Sequence, residues 1–195
     1  METQRILVTG GGGFIGANLV KELKRRGHEV IASDLYNTDS DRDDYIRADV
    51  RNYRQLERVF EKQKIDYVYH LAAEYGRWNG EDYYENLWAT NVIGTKHIIR
   101  LQEKLGFRMV FYSSAEVYGD YEGVMTEDVM EENPIKDTYQ MNDYAITNLF
   151  LERKALPKEQ RSIFSKLFCL QKSLFIMLEE DLNGKRKSKN IRIPF

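Results

Sequence analysis

The sequence predicts a doubly wound α/β domain, a mostly parallel sheet of about five or six strands covered by helices on both faces. Three observations predict it. Strand and helix signals alternate through the first three-quarters of the 195 residues, the pattern of parallel strands joined by crossover helices. A short apolar run, Ile6-Leu7-Val8-Thr9, enters the cluster Gly10-Gly11-Gly12-Gly13-Phe14-Ile15-Gly16 and continues into an amphipathic stretch with Leu19, Val20 and Leu23. A second apolar run, Val30-Ile31-Ala32-Ser33, delivers Asp34 eighteen residues after Gly16.

In order, strands are expected at residues 5–9 and 29–33, with a weaker third at Ile46-Arg47-Ala48-Asp49-Val50. Gln55 to Phe60 falls in a helix, and a strand follows at residues 66–71. A long helix is expected from about Tyr83 to Lys104, because Leu87, Asn91, Gly94, Ile98 and Leu101 share one face. Residues 108–112 form the next strand and 143–155 the next helix. No internal repeat is visible.

The glycine turn carries the first chemistry. A strand, a tight turn and a helix N-terminus present backbone N–H groups and a positive dipole end, here through Gly13, Phe14, Ile15 and Gly16, to a pyrophosphate. Gly10 permits the sharp turn, Gly13 lets phosphates approach the backbone, and Gly16 lets the helix pack on the strand. Asp34 can accept both ribose hydroxyls of an adenosine and would repel a 2′-phosphate, which favours NAD over NADP. Taken alone, Asp34 is a turn aspartate after a strand; beside the glycine turn it completes a Rossmann dinucleotide site.

Composition narrows the class. With 42% apolar residues the chain can bury a core, and its net charge of −2 gives no electrostatic argument for nucleic acid or an anionic membrane. Cys169 stands alone, which excludes an internal disulfide and fits a reducing cytoplasmic setting. His28, His70 and His97 are scattered without metal-ligand spacing, so no metal site is expected. No run of eighteen apolar residues or signal peptide is seen.

The composition changes near residue 148. All thirteen tyrosines lie at or before Tyr144. The last 48 residues hold 11 Lys+Arg against 5 Asp+Glu, a net of +6, which leaves −8 on the first 147. Ser162 to Leu182 carries a broad apolar stripe and suits a buried or partner-seeking helix. Lys185-Arg186-Lys187-Ser188-Lys189 suits either a polyanion-binding patch or a solvated terminus. The expected division is therefore a dinucleotide-binding domain over residues 1–157 and a divergent helical, basic tail over 158–195.

Further motifs follow the glycine turn: Asp49-Val50, His70-Leu71-Ala72-Ala73, Asn91-Val92-x-Gly94-Thr95, Ser113-Ser114-Ala115-Glu116-Val117-Tyr118-Gly119, and Tyr144-Ala145-Ile146-Thr147. In this order, over residues 5 to about 154, the chain resembles the extended short-chain dehydrogenase/reductase family, the NAD-dependent nucleotide-sugar epimerases and dehydratases. The resemblance implies that Asp49-Val50 cups the adenine and that Leu71-Ala72-Ala73 closes over the ribose and diphosphate. It implies that Asn91 braces the sheet edge near the nicotinamide, that Ser114 hydrogen-bonds the reacting sugar hydroxyl, and that Tyr144 is the catalytic base. The family chemistry begins with oxidation at C4 of the sugar, after which the ketone permits epimerisation, dehydration or decarboxylation.

Three departures qualify the expectation. Glu116 matches the second member of the acidic pair in the family's 4,6-dehydratases, but Ala115 offers no acid, and the segment is also similar to that of UDP-glucuronate decarboxylases. Asn148 stands where the family places a lysine, one helical turn after the tyrosine. Without that cation a tyrosine titrates near ~10, so turnover is expected to fall more than cofactor binding. Family members also continue into a small substrate domain that is not found after Pro157. The chain is therefore expected to be an epimerase/dehydratase-type protein, shortened and catalytically impaired. The alternative is a non-catalytic NAD-binding module with a partner-binding tail. The resemblance implies a nucleotide-sugar and a second copy as partners of the chain, since relatives pair through the two long helices.

Overall fold

The computed structural model describes residues 2–37, 44–75, 82–123 and 138–154. The chain runs β1 (Arg5–Thr9), α1 (Phe14–Arg25), β2 (Glu29–Asp34), β3 (Tyr45–Arg47), α2 (Tyr53–Lys62) and β4 (Tyr67–His70). Next come α3 (Tyr84–Trp88), a π-helical segment (Ala89–Gly94), α4 (Thr95–Leu105), β5 (Arg108–Phe111), a 3-10 turn (Ala115–Tyr118) and α5 (Asp143–Lys154). The strands pair in parallel in the order β3-β2-β1-β4-β5. The order reverses between β1 and β4, which opens a crevice at their carboxyl ends. The predicted doubly wound sheet is present, with five strands among the described residues.

Strands buried on both faces read as apolar runs rather than alternating ones, and the two faces divide accordingly. Ile6, Val8, Val30, Ala32, Tyr69 and Val110 pack with Leu19, Val20 and Leu23 of α1. Leu7, Ile31, Val68 and Met109 pack with Leu56, Val59 and Phe60 of α2 and with Ile98 and Leu101 of α4. Burying a leucine contributes about 2 kcal/mol, against about 1 for a typical hydrogen bond. These two layers therefore hold the sheet.

Two elements depart from expectation. The third strand is shorter than residues 46–50, because at Asp49 local hydrogen bonds replace the ladder. The Arg51 N–H donates to Asp49 Oδ1 at 2.9 Å, and Asn52 caps α2 by accepting from the Gln55 N–H. The helix expected over 83–104 is divided by the π segment. Leu87, Asn91, Gly94, Ile98 and Leu101 are all buried, as the face predicted. The widened turn lies where the Asn91 carboxamide meets Glu74 and where a Cβ on Gly94 would stand 2.7 Å from Val50. The expected boundary at 157, the apolar stretch 162–182 and the basic cluster 185–189 lie outside the described residues. Among the described residues, no helix is long and apolar enough to cross a membrane.

One polar group lies inside the core at the crevice. Thr9 and His70 are register partners at the ends of β1 and β4, and Thr9 Oγ1 lies 2.6 Å from His70 Nδ1. His70 Nε2 lies 3.0 Å from Thr95 Oγ1 at the start of α4. Burial pushes the His70 pKa down to about 4, so the ring is neutral in the folded protein at neutral pH. The unfolded chain protonates it near ~6.5. Its contribution to stability is therefore complete above that value and is lost as pH falls from there toward about 4. Between pH ~7.5 and ~5 this group alone should remove about 2 kcal/mol of unfolding free energy. Urea denaturation at both pH values, on the wild type and on His70→Gln, measures it; the variant should lose that part of the pH dependence.

Candidate functional site

The turn after β1 is built from backbone. Gly10 takes φ +71°, and its carbonyl accepts the Gly13 N–H at 3.1 Å. Gly13 is the N-cap of α1, with no capping side chain and no acidic residue in the first turn. The N–H groups of Phe14, Ile15 and Gly16 thus begin the helix without an intrahelical acceptor. A Cβ on Gly16 would lie 2.1 Å from the Gly10 carbonyl oxygen, so only glycine lets α1 approach this closely. A Cβ on Gly13 would meet only that oxygen, at 3.3 Å. Phe14 projects outward, 73% exposed.

Asp34 ends β2 beside this turn. Its Oδ2 accepts the Gly12 N–H at 2.9 Å and its Oδ1 the Leu35 N–H at 2.7 Å. Each oxygen keeps a lone pair for a further donor. An uncapped helix start next to a half-buried carboxylate matches the diphosphate and ribose of a dinucleotide, and the residues present fit that group.

Asp49 and Val50 lie past the end of β3. The Arg51 guanidinium holds the Asp49 carboxylate at 2.8–3.0 Å and also donates to Asn86 Oδ1 at 2.6 Å. Burial works to raise the Asp49 pKa, but the hydrogen bonds and charge of Arg51 outweigh it and hold the carboxyl below its ordinary range. On the other side of β1, the Leu71 N–H donates to the Thr9 carbonyl at 3.1 Å. The chain then passes Gly10 so closely that a Cβ there would lie 2.8 Å from the Ala72 nitrogen. Ala73 is exposed, and the next residue is fastened from both sides. Asn91 Oδ1 accepts the Glu74 N–H at 2.9 Å, and Asn91 Nδ2 donates to the Glu74 carbonyl at 3.0 Å.

The remaining predicted residues follow β5. Ser114 caps the 3-10 turn, its Oγ accepting the Glu116 N–H at 3.2 Å. That turn packs on α5 through Val117, Tyr118 and Leu149. Tyr144 lies in the first turn of α5 and is half-buried. Asn148, one turn on, is 5% exposed, and its Nδ2 donates back to the Tyr144 carbonyl at 2.9 Å. Thr147 Oγ1 donates to the same carbonyl at 2.9 Å and accepts from Asn91 Nδ2 at 3.3 Å. The structure thus joins Asn91 to the helix of Tyr144 and gathers Gly10, Gly13, Gly16 and Asp34 at one turn. Asp49 and Val50 form a separate corner with Arg51.

Several residues at the site escaped the sequence reading. Asn142 accepts the Ala145 N–H at 2.8 Å through Oδ1 and caps α5; its place just before the helix was a visible N-cap signal. Trp88 Nε1 donates to Asp143 Oδ2 at 2.9 Å, a pairing across 55 residues that carries no local signal.

A parallel sheet with a glycine turn under an uncapped helix, and an acidic residue closing the next strand, defines a dinucleotide-binding α/β domain. A family model, the NAD dependent epimerase/dehydratase family, matches residues 6–161. The chain belongs to that family. It is 31% identical over 173 residues to bifunctional UDP-glucose 4-epimerase and UDP-xylose 4-epimerase 1 of Pisum sativum, covering 78% of this chain and 47% of that protein. It is 32% identical over 126 residues to UDP-glucuronic acid decarboxylase 1 of Danio rerio, covering 62% of this chain and 30% of that protein. Among solved structures, MoeE5 in complex with UDP-glucose and NAD matches with TM-score 0.63 and 32% identity, over 77% of this chain and 48% of that one. The Thermus thermophilus UDP-glucose 4-epimerase complex with NAD matches with TM-score 0.68 and 26% identity, over 82% of this chain and 51% of that one. The chain spans less than half the length of these two curated relatives.

The two helix-start glycines should separate by substitution. Gly16→Ala should cost about 1–3 kcal/mol by forcing α1 off the turn. Gly13→Ala, in extended backbone and with a methyl group 3.3 Å from the Gly10 carbonyl oxygen, needs a far smaller shift and should cost under about 1 kcal/mol. Urea denaturation of both variants tests the ordering, and equal losses would contradict the close approach at Gly16.

Proposed function

We propose that this chain holds NAD across the carboxyl ends of β1, β2 and β4 and presents Ser114 and Tyr144 to oxidise the C4 hydroxyl of a nucleotide-sugar. The observation that carries this reading is the packing of the Ser114 turn on α5. Ser114 follows the end of β5 and the start of α1 follows the end of β1, so the hydroxyl pair and the cofactor cradle share one edge of the sheet.

Each residue then has a task. The Phe14, Ile15 and Gly16 amides face the diphosphate, and Asp34 accepts the adenosine ribose hydroxyls and disfavours a 2′-phosphate. Asp49 and Val50 line the adenine corner, Leu71, Ala72 and Ala73 cover the ribose, and Asn91 fixes the loop beneath the nicotinamide. Bound NAD supplies the hydride acceptor. Tyr144 takes the C4 hydroxyl proton, and Ser114 hydrogen-bonds that oxygen as charge develops. Ala115 supplies no acid for loss of water, so with Glu116 beside Ser114 the reading inclines to epimerisation or decarboxylation of a UDP-sugar.

Asn148 favours a second reading, an NAD-binding module with little turnover. Its amide is turned inward to the Tyr144 carbonyl and carries no charge. For assembly we propose a homodimer through α3–α4 and α5, whose Tyr84, Ile93, Ile146 and Phe150 are exposed. The single cysteine suits a cytoplasmic setting.

Isothermal titration of the full chain with NAD should show binding, weakened roughly tenfold or more by Gly13→Ala. With NAD and UDP-glucose, Asn148→Lys should raise the NADH absorbance above wild type at unchanged NAD affinity. If the variant binds NAD and forms no more NADH than wild type, the module reading stands. If the wild-type chain binds no NAD, both readings fall.

A further inference from the structure

Glu116 links Ser114 to the residue that caps the helix of Tyr144, by different atoms. Its N–H donates to Ser114 Oγ at 3.2 Å. Its Oε2 accepts from Asn142 Nδ2 at 2.7 Å. Asn142 is not an incidental partner. Its Oδ1 accepts the Ala145 N–H at 2.8 Å, and its carbonyl accepts the Ile146 N–H at 3.2 Å. The two ends of one carboxamide therefore connect Glu116 to the first turn of α5, and Tyr144 lies within that turn, between Asn142 and Ala145.

Apolar packing alone does not hold α5 in place. Its apolar residues are spread around it: Ala145, Leu149 and Leu151 are buried, while Ile146 and Phe150 are exposed. Polar bonds from other elements reach its start instead. Trp88 holds Asp143, Asn91 holds Thr147, and Gln140, just ahead of the helix, donates from Nε2 to the Val117 carbonyl at 3.2 Å. Among the partners of this helix start, Glu116 is the one that also bonds the Ser114 hydroxyl.

We propose that Glu116 is a positioning residue, which fixes the spacing between Ser114 and Tyr144 by holding the Asn142 cap, and that it acts as a hydrogen-bond acceptor rather than as a proton donor or base. The proposal rests on the assignment of Ser114 and Tyr144 above. It makes a distinction that charge alone would not. Glutamine at this position keeps an acceptor for Asn142 Nδ2 while removing the ionisable group, and alanine removes both. Serine at position 142 still caps the helix but is too short to reach Glu116.

The test is NMR of the full chain carrying ring-labelled tyrosine, with Tyr144→Phe identifying its resonance among the thirteen tyrosines. Glu116→Ala and Asn142→Ser should each shift the Tyr144 resonance, and Glu116→Gln should return it to the wild-type position. In the Asn148→Lys background, sugar-dependent NADH formation should follow the same order. A glutamine variant as displaced as the alanine one would overturn the proposal and assign the effect to the carboxylate charge. A wild-type resonance in Glu116→Ala would overturn it as well. If the alanine variant fails to fold, the comparison of Asn142→Ser with Glu116→Gln decides in the same way. Failure of the wild type to bind NAD would remove the functional reading and leave the resonance test intact.

Discussion

The contact of Gly16 with the Gly10 carbonyl governs the glycine-turn end of this molecule. With any side chain at Gly16, α1 would have to withdraw from the turn, and its first amides would withdraw with it. The same turn sets Gly12 against Asp34 and Gly10 against Ala72, so strands β2 and β4 are also registered to it. One close approach thus aligns three separate segments: the helix start, the acidic end of β2 and the loop after β4. The apolar layers supply most of the burial, and this contact determines what they hold in place.

The other side of the crevice is organised differently. The Ser114 turn and α5 share a small apolar cluster, Val117, Tyr118 and Leu149. Beyond that cluster, α5 and the residues just before it are tied to their surroundings by side-chain polar groups: Glu116 to Asn142 and Gln140 to the Val117 carbonyl from the Ser114 turn, and Asn91 to Thr147 and Trp88 to Asp143 from the preceding helix. Directional bonds fix distances that non-directional packing leaves adjustable, but each depends on the retention of a single partner. The corner past β3 has the same character, with Arg51 joining Asp49 to Asn86.

What could be seen in the sequence follows from these two styles. Strands buried on both faces announce themselves as apolar runs, and the glycine turn announces itself by spacing, so the sheet and the turn were legible. Leu87, Asn91, Gly94, Ile98 and Leu101 were legible as one buried face. The π segment within that face was not, because its widened turn coincides with contacts to Glu74 and Val50, both distant in sequence. Asp49 was expected in a strand, and its bond to Arg51 turned the chain instead. His70 stood in the His70-Leu71-Ala72-Ala73 motif, but nothing local gave its bonding. Its partners Thr9 and Thr95 lie 61 and 25 residues away.

That histidine has a mechanical consequence. One neutral ring spans from the end of β1 to the start of α4, and the hydroxyl it meets on β1 lies 3.4 Å from the Ala72 nitrogen of the loop after β4. The floor of the crevice is therefore cross-linked by a rigid planar group with only two ring torsions to yield. The walls hang from longer, rotatable side chains such as Arg51, Glu116 and Asn142. Compliance is unevenly distributed: a ligand entering this crevice meets a stiff base, and the accommodation it requires falls to the walls.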